Sequence, residues 1–234
     1  MAGVAPDAED AMLPIRAEVP PNNTTVTLCD GPVPFYRQKN SWSCGYCCFM
    51  MMAVALAVLD GGGWAEALGN AGLITLAAND YYIATGVLPI QKAIADAWAA
   101  GINKDGEKLI RGRSKTEFVG STGSKAKIGS CQAWAVFGRL RIPVTTNCFD
   151  EVDRVDKLFE AAREYFLMPG PRAPMILTHS NHVRLIVGFI DTPGCPQLIY
   201  VDPIWSEVDC IECFRKGDDE LRAAAYEVMY LLDA

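Results

Sequence analysis

From Cys44 to Leu59 the chain runs CGYCCFMMMAVALAVL, sixteen residues without a charge. A helix of that composition has no polar face to offer water, so the rest of the fold must surround it. A membrane crossing needs roughly 20 apolar residues. This run is shorter and opens with polar and sulfur side chains. The expectation is a globular domain built round a central buried helix, with Gly61, Gly62 and Gly63 as its stop signal.

The remainder of the chain is compatible with that. Its 234 residues suit one domain with a substantial core. The formal net charge of -7 argues against nucleic acid as the main ligand, because phosphate binding wants a basic surface. No basic region precedes an apolar run at the N-terminus, so a secretory signal is not expected. The nine cysteines then read as thiols in a reducing compartment, cytoplasm or nucleus, rather than as a disulfide framework.

Residues 1–32, rich in Pro, Ala, Asp, Asn and Thr, read as a loosely held leader, and 33–234 as the domain. After the buried helix, Leu88 to Ala100 places Ile90, Ile94, Ala97 and Trp98 on one helical face. Residues 111–127 read as a loop. Ser130 is placed to cap a helix ending near Leu140, and Ile142 to Cys148 reads as a strand. Asp150 is placed to cap a helix through Val155, Leu158, Phe159, Ala162 and Phe166. Strands then follow at Met175 to Thr178, His182 to Ile190, Leu198 to Val201 and Tyr226 to Leu232. Helices first and strands mostly after them favour an α+β domain over a doubly wound sheet.

The helix start is where cysteine chemistry would sit. A free thiol ionises only above about pH 8, and the N-terminus of a helix or an adjacent imidazole lowers that threshold. Cys44 occupies such a start, and Gly45 would let a substrate backbone approach. Gln38, six residues upstream, could donate its side-chain amide to an oxyanion. A second frame makes Cys47 the nucleophile, but then Ser41 stands where the amide donor should be. The helix-start and oxyanion requirements favour Cys44.

A Cys–His pair must use His179 or His182, the only two histidines. Three residues apart on one continuous strand they would face opposite ways. His182 opens the apolar segment HVRLIVGFI, and Asp202 in YVDP ends the next strand, where it can orient an imidazole. A symmetric hairpin would need its centre near Thr192 to set them level, which Pro193 and Pro196 disfavour; a wider loop or a bulge would correct the offset. The two CxxC pairs, Cys44–Cys47 and Cys210–Cys213, lie too far apart for the usual zinc modules, so no metal is expected. Cys131 reads as a core thiol. A competing reading makes all these cysteines core thiols of a domain without catalysis.

Several segments together resemble the ZUFSP and UfSP group of peptidases. They are WSCGY (Trp42 to Tyr46), LPIQKAIADAWAAGINKDG (Leu88 to Gly106), KIGSCQAWAVFGRLRIPV (Lys127 to Val144), and NHVRLIVGF followed by LIYVDP. The resemblance implies a papain-like fold and cleavage of ubiquitin or of the ubiquitin-fold modifier. It also implies Cys44 as nucleophile, His182 as general base and acid, Asp202 as its orienter and Gln38 as oxyanion donor, with no cofactor. Proteases of the ubiquitin-fold modifier typically carry Asp-Pro-His. Here Ile204 follows Asp202-Pro203 and the histidine comes earlier, as in the ZUFSP branch of deubiquitinases. The chain departs from the group at Cys47-Cys48, at Lys127 and at Gln132, which replaces a Glu; Gln132 would then line the groove for the ubiquitin tail. The implied partners are ubiquitin or polyubiquitin chains, met by a monomer. A protease for the ubiquitin-fold modifier, a deamidase or transglutaminase, and an inactive ubiquitin-binding module stay open beside it.

Overall fold

A computed structural model describes residues 12–13, 24–59, 63–78, 80–105, 107, 127–179, 182–205, 211–218, 221 and 225–232. The uncharged run forms α1 (Cys44–Leu59), and every residue from Cys44 to Ala57 is buried. Fully burying one Leu, Met or Phe stabilises a fold by roughly 1.5–3 kcal/mol. This helix therefore anchors the core as well as presenting the thiol. Gly61 and Gly62 lie outside the described residues, and α2 (Gly63–Asn70) begins at the third glycine. No helix among the described residues is long and apolar enough to cross a membrane.

Around α1 stand β3 (Val33–Pro34), α2, a hairpin of β4 (Ile74–Leu76) and β5 (Tyr82–Ala84), and the main sheet. Strand β3 also pairs with β1 (Met12–Leu13). The helix α3 (Val87–Ala99) buries Ile90, Ile94, Ala97 and Trp98, the face its spacing predicts, and packs on α4 (Ser130–Arg139). Phe49 of α1 stacks on Phe137 of α4 with ring centroids 4.7 Å apart.

The main sheet is antiparallel and has seven strands. It contains β6 (Val144–Phe149), β7 (Met175–His179), β8 (His182–Asp191), β9 (Gln197–Val201), β10 (Ile211–Arg215) and β11 (Tyr226–Leu231) in the order β10-β9-β8-β7-β11-β6. The seventh, β2 (Thr25–Leu28), pairs with the far half of β8, beyond the stretch that pairs with β7. Residues 25–28, assigned by composition to the leader, are thus part of the sheet. Gly188 permits their approach, since a Cβ there would lie 2.7 Å from the Thr27 carbonyl oxygen. The helix α5 (Arg154–Leu167) packs on the sheet, with Phe159 edge-on to Phe189 at 6.5 Å.

Two expected caps act otherwise. Ser130 is the first residue of α4, and its hydroxyl reaches across to the sheet, 2.8 Å from Thr178 Oγ1 and 3.1 Å from the Glu227 carbonyl. Helix α5 begins four residues after Asp150, with Asp153 before it. The loop expected over 111–127 and Cys210 of the second CxxC pair fall outside the described residues, apart from Lys127.

Candidate active site

The site assembles where α1 points its N-terminus at the start of β8. Cys44 is the first residue of α1, where the helix leaves backbone N–H groups without intrahelical acceptors. Cys48, one turn on, donates its thiol to the Val183 carbonyl at 3.4 Å and so ties the helix to the residue after His182. Burial pushes the Cys44 thiol up, but a hydrogen bond and charge from His182, with backbone N–H groups of Val183 and Gly45, outweigh it and hold the thiol below its ordinary value. Burial, with the Cys44 charge beside it, pushes Cys47 up to about 12. The geometry therefore separates the three cysteines of the run into a thiol held low beside His182, a buried thiol pushed up and a tether.

The imidazole of His182 presents Nε2 to Asp202, 2.9 Å from Oδ1 and 3.0 Å from Oδ2. Its other nitrogen, Nδ1, is left for the Cys44 sulfur. Burial alone would lower the His182 pKa; the hydrogen bonds to Asp202 and Cys44 more than reverse that and raise it to about 9. Asp202 is 1% exposed. Burial would raise its carboxyl, yet His182, the Ile204 N–H and Arg184 hold it below its ordinary value. A thiolate, an imidazolium and a carboxylate in sequence are what acyl transfer from a carbonyl requires.

A β-bulge brings the histidine and the acid together. Near the β8–β9 turn, Gly188 pairs with Ile199 and Ile190 with Gln197; past the bulge Ile186 pairs with Tyr200 and Leu185 with Val201. The extra residue, Val187, shifts the parity by one. Continued, the new register sets Arg184 level with Asp202 and His182 two residues further on the same face. Without the bulge, Leu185 would oppose Asp202 and both polar side chains would point away. The sequence left a wider loop or a bulge open, and the structure contains the bulge.

For the other histidine the condition of one continuous strand is not met. The two do not share a strand: the chain reverses between them, His179 and His182 are register partners across β7 and β8, and their rings lie 6.4 Å apart. His179 receives a hydrogen bond from Arg184 Nη1 through its Nε2, while its Nδ1 is buried without a partner among the described residues. Burial and the Arg184 charge lower its pKa to about 4, so it is neutral.

Gln38 lies on the loop before α1, where its backbone N–H donates to the Pro203 carbonyl at 2.7 Å. That bond fastens the oxyanion-loop candidate to the residue after Asp202. Its side-chain Nε2 donates to the Asn40 carbonyl of its own loop. Asn40 organises this loop further, accepting the Trp42 N–H on Oδ1 at 3.3 Å. Gln132 turns inward: its Oε1 accepts the Gly129 N–H at 2.8 Å, capping α4, and the residue is 7% exposed. Gly45 also differs from expectation. A Cβ there would lie 2.1 Å from the Ile128 carbonyl oxygen, so the space it leaves is filled by the chain's own backbone, not by substrate. Cys131 is only partly buried and its thiol meets Glu227.

Arg184 is the neighbour that motif reading passed over, and His179, weighed there as the other candidate imidazole, sits beside it. Arg184 Nε donates to Asp202 Oδ2 at 2.8 Å, and its guanidinium carbon lies 5.2 Å and 5.1 Å from the ring centroids of Tyr200 and Phe214. Its position two residues after His182 on one strand was the available signal. Among the described residues, no three His, Cys, Asp or Glu side chains come together as a metal-holding group.

In solved structures the chain is similar to UfSP from C. elegans, with a TM-score of 0.56 at 15% identity, covering 95% of this chain and 36% of that one. The chain thus spans little more than a third of that protein, and the likeness speaks for the fold: a mixed α+β, papain-like domain. Curated protein sequences give no match. The model of peptidase family C78 matches residues 22–225, from just before β2 to the last sheet strand, and the chain belongs to that family of cysteine peptidases.

Proposed function

We propose that the chain is a thiol isopeptidase that cleaves after the C-terminal glycine of ubiquitin. The observation that carries the choice of ubiquitin is the origin of the imidazole: it stands 20 residues before Asp202, and Ile204 follows Asp202-Pro203 where the sister proteases carry histidine. Access to the nucleophile supports a glycine-ended substrate. Cys44 is 2% exposed, so a thin tail without side chains reaches its sulfur more easily than a bulky one.

In this mechanism the Cys44 thiolate attacks the carbonyl of the terminal glycine. The oxyanion is met by the Cys44 backbone N–H and by the Gln38 amide hydrogen not given to Asn40; a donor of this kind is worth about a hundredfold or more in rate. His182, held as imidazolium by Asp202, protonates the departing lysine amine. It then takes a proton from water, which hydrolyses the thioester. No step calls for a cofactor. The enzyme would act as a monomer in the cytoplasm or nucleus on ubiquitin or its chains.

Turnover decides the modifier. Purified protein is given ubiquitin and, separately, the ubiquitin-fold modifier, each carrying a fluorogenic amide at its C-terminus. Release from ubiquitin with at least a hundredfold preference in kcat/KM is expected. The opposite preference would transfer the same mechanism to the other modifier.

A further inference from the structure

Asp202 is buried to 1% exposure with a charge on it, and a charge so placed needs more than one partner. His182 is one, and the Ile204 N–H, 3.0 Å from Oδ1, is a weaker one. The remaining donor is Arg184, whose side chain is 10% exposed and whose Nε lies 2.8 Å from Oδ2. The guanidinium has a built seat. Tyr200 and Phe214, stacked 4.0 Å apart on β9 and β10, present their rings to it, and Tyr200 is itself pinned through its hydroxyl to Glu212. Neutral His179 accepts from Nη1. An arginine placed only for packing has no need of a carboxylate, an imidazole acceptor and an aromatic pair.

We infer that Arg184 is a positioning residue of the reaction, acting on His182 through Asp202 by keeping that carboxylate ionised and turned toward the imidazole. The inference rests on the roles given above to Cys44, His182 and Asp202, and not on which modifier is cleaved. The role assigned to Arg184 is indirect. Its effect passes along a chain: guanidinium to carboxylate, carboxylate to imidazolium, imidazolium to thiolate. Among the described residues, the charged and titratable groups around Asp202 are His182 and Arg184 from β8, His179 from β7, Cys44 and Cys48 from α1, and Glu212 from β10 behind Tyr200. Of these, only His182 and Arg184 share a hydrogen bond with the carboxylate. Replacing Arg184 by a neutral residue leaves a buried carboxylate that protonates more readily. The imidazolium then loses its counterion, and the thiolate loses the imidazolium. The bulge at Val187 acquires a second meaning: it brings Arg184 as well as His182 to the face of Asp202.

The test reads the thiolate directly and needs no modifier. Alkylation of Cys44 by iodoacetamide is followed against pH by peptide mass spectrometry for the parent protein, Arg184→Met, Arg184→Lys, Asp202→Asn and the Asp202→Asn/Arg184→Met double variant. Arg184→Met is expected to move the Cys44 midpoint upward by about one pH unit, a tenfold loss of thiolate at the foot of the curve. Arg184→Lys keeps the charge and recovers at least half of that shift. The double variant shifts no further than Asp202→Asn alone, because an effect routed through Asp202 has nothing left to act on. The double variant also removes the buried pair as a unit and serves if Arg184→Met does not fold. An unmoved midpoint in folded Arg184→Met, or shifts that add in the double variant, would overturn the inference. Failure of every variant and the parent to show a depressed Cys44 midpoint would instead strike at the catalytic reading itself.

Discussion

Gly45→Ala tests whether the start of α1 is as tightly clamped as the site requires. The added methyl would lie 2.1 Å from the Ile128 carbonyl oxygen and 2.9 Å from both its carbonyl carbon and its Cγ1. Backbone must retreat by more than 1 Å to restore ordinary contact at 3.4 Å. That backbone is not free to move, because the next residues are fixed by the Gly129 N–H to Gln132 at 2.8 Å and the Ser130 N–H to Thr178 at 3.0 Å. Overpacking of this kind costs roughly 1–3 kcal/mol, and loosening the α4 cap adds about 1 kcal/mol. The helix-propensity gain of alanine over glycine is at most about 1 kcal/mol in a helix interior, and less in a first turn. The net is a loss of about 2–3 kcal/mol. At ~2–4 °C per kcal/mol for a chain of this size, the melting temperature should fall by ~4–12 °C. Gly138→Ala is the internal control: it sits exposed in α4, and its Cβ would meet nothing within 4 Å. There the melting temperature should hold or rise by ~1–4 °C. Thermal melts with urea titrations at constant m would measure both. A Gly45→Ala protein as stable as its parent would refute the clamp.

Further expectations concern protons and thiols. Since the Cys44 thiol lies below its ordinary value and His182 is raised to about 9, kcat/KM should hold a plateau through neutrality and fall as pH rises through about 9; a fall centred near 6.5 would contradict the ion pair. Cys47→Ala should keep its probe labelling and most of its activity, because a thiol pushed up to about 12 by burial is not a nucleophile near neutrality, whereas Cys44→Ala should lose both. His179, depressed to about 4 by burial and Arg184, takes up its proton more readily when unfolded. It contributes stability that is complete above about 6.5 and lost as pH falls through about 4, up to about 3 kcal/mol. Urea titrations at pH 7 and pH 4.5 should show a smaller difference in His179→Gln, which keeps an acceptor for Arg184. Gln132→Ala should cost about 1 kcal/mol by removing the α4 cap, in the same titrations.

The buried helix and the place of Cys44 at its start were legible in the sequence because one property, an uncharged run behind a polar start, dictates both. The strands carrying His182 and Asp202 were legible from their apolar runs. Their alignment was not, since one bulge residue decides which face each side chain takes, and an apolar Val187 looks no different from its neighbours. The nearness of His179 was not legible either: the opposite-face rule holds for one continuous strand, whereas His179 and His182 are register partners on two. Short elements such as β2, β3 and the β4–β5 hairpin lack enough residues for a period to show, and their pairing depends on distant segments. The cap at Ser130 failed because a tertiary partner displaced the local one: Ser130 hydrogen-bonds the sheet instead of its own helix. The cap at Asp150 failed because the helix begins later, at Arg154. Arg184 was passed over: its place two residues after His182 put it on the same face, but nothing local tells a buried arginine from an exposed one.

The central claim is that Cys44 takes the carbonyl carbon of a ubiquitin tail. The most direct measurement exposes the protein to two C-terminal electrophile probes, one built on ubiquitin and one on the ubiquitin-fold modifier, and maps any adduct by mass spectrometry alongside Cys44→Ala. A ubiquitin adduct on Cys44, absent from the variant and from the second probe, is the predicted result. Reaction with the second probe alone, an adduct on Cys47, or no adduct on either would contradict it.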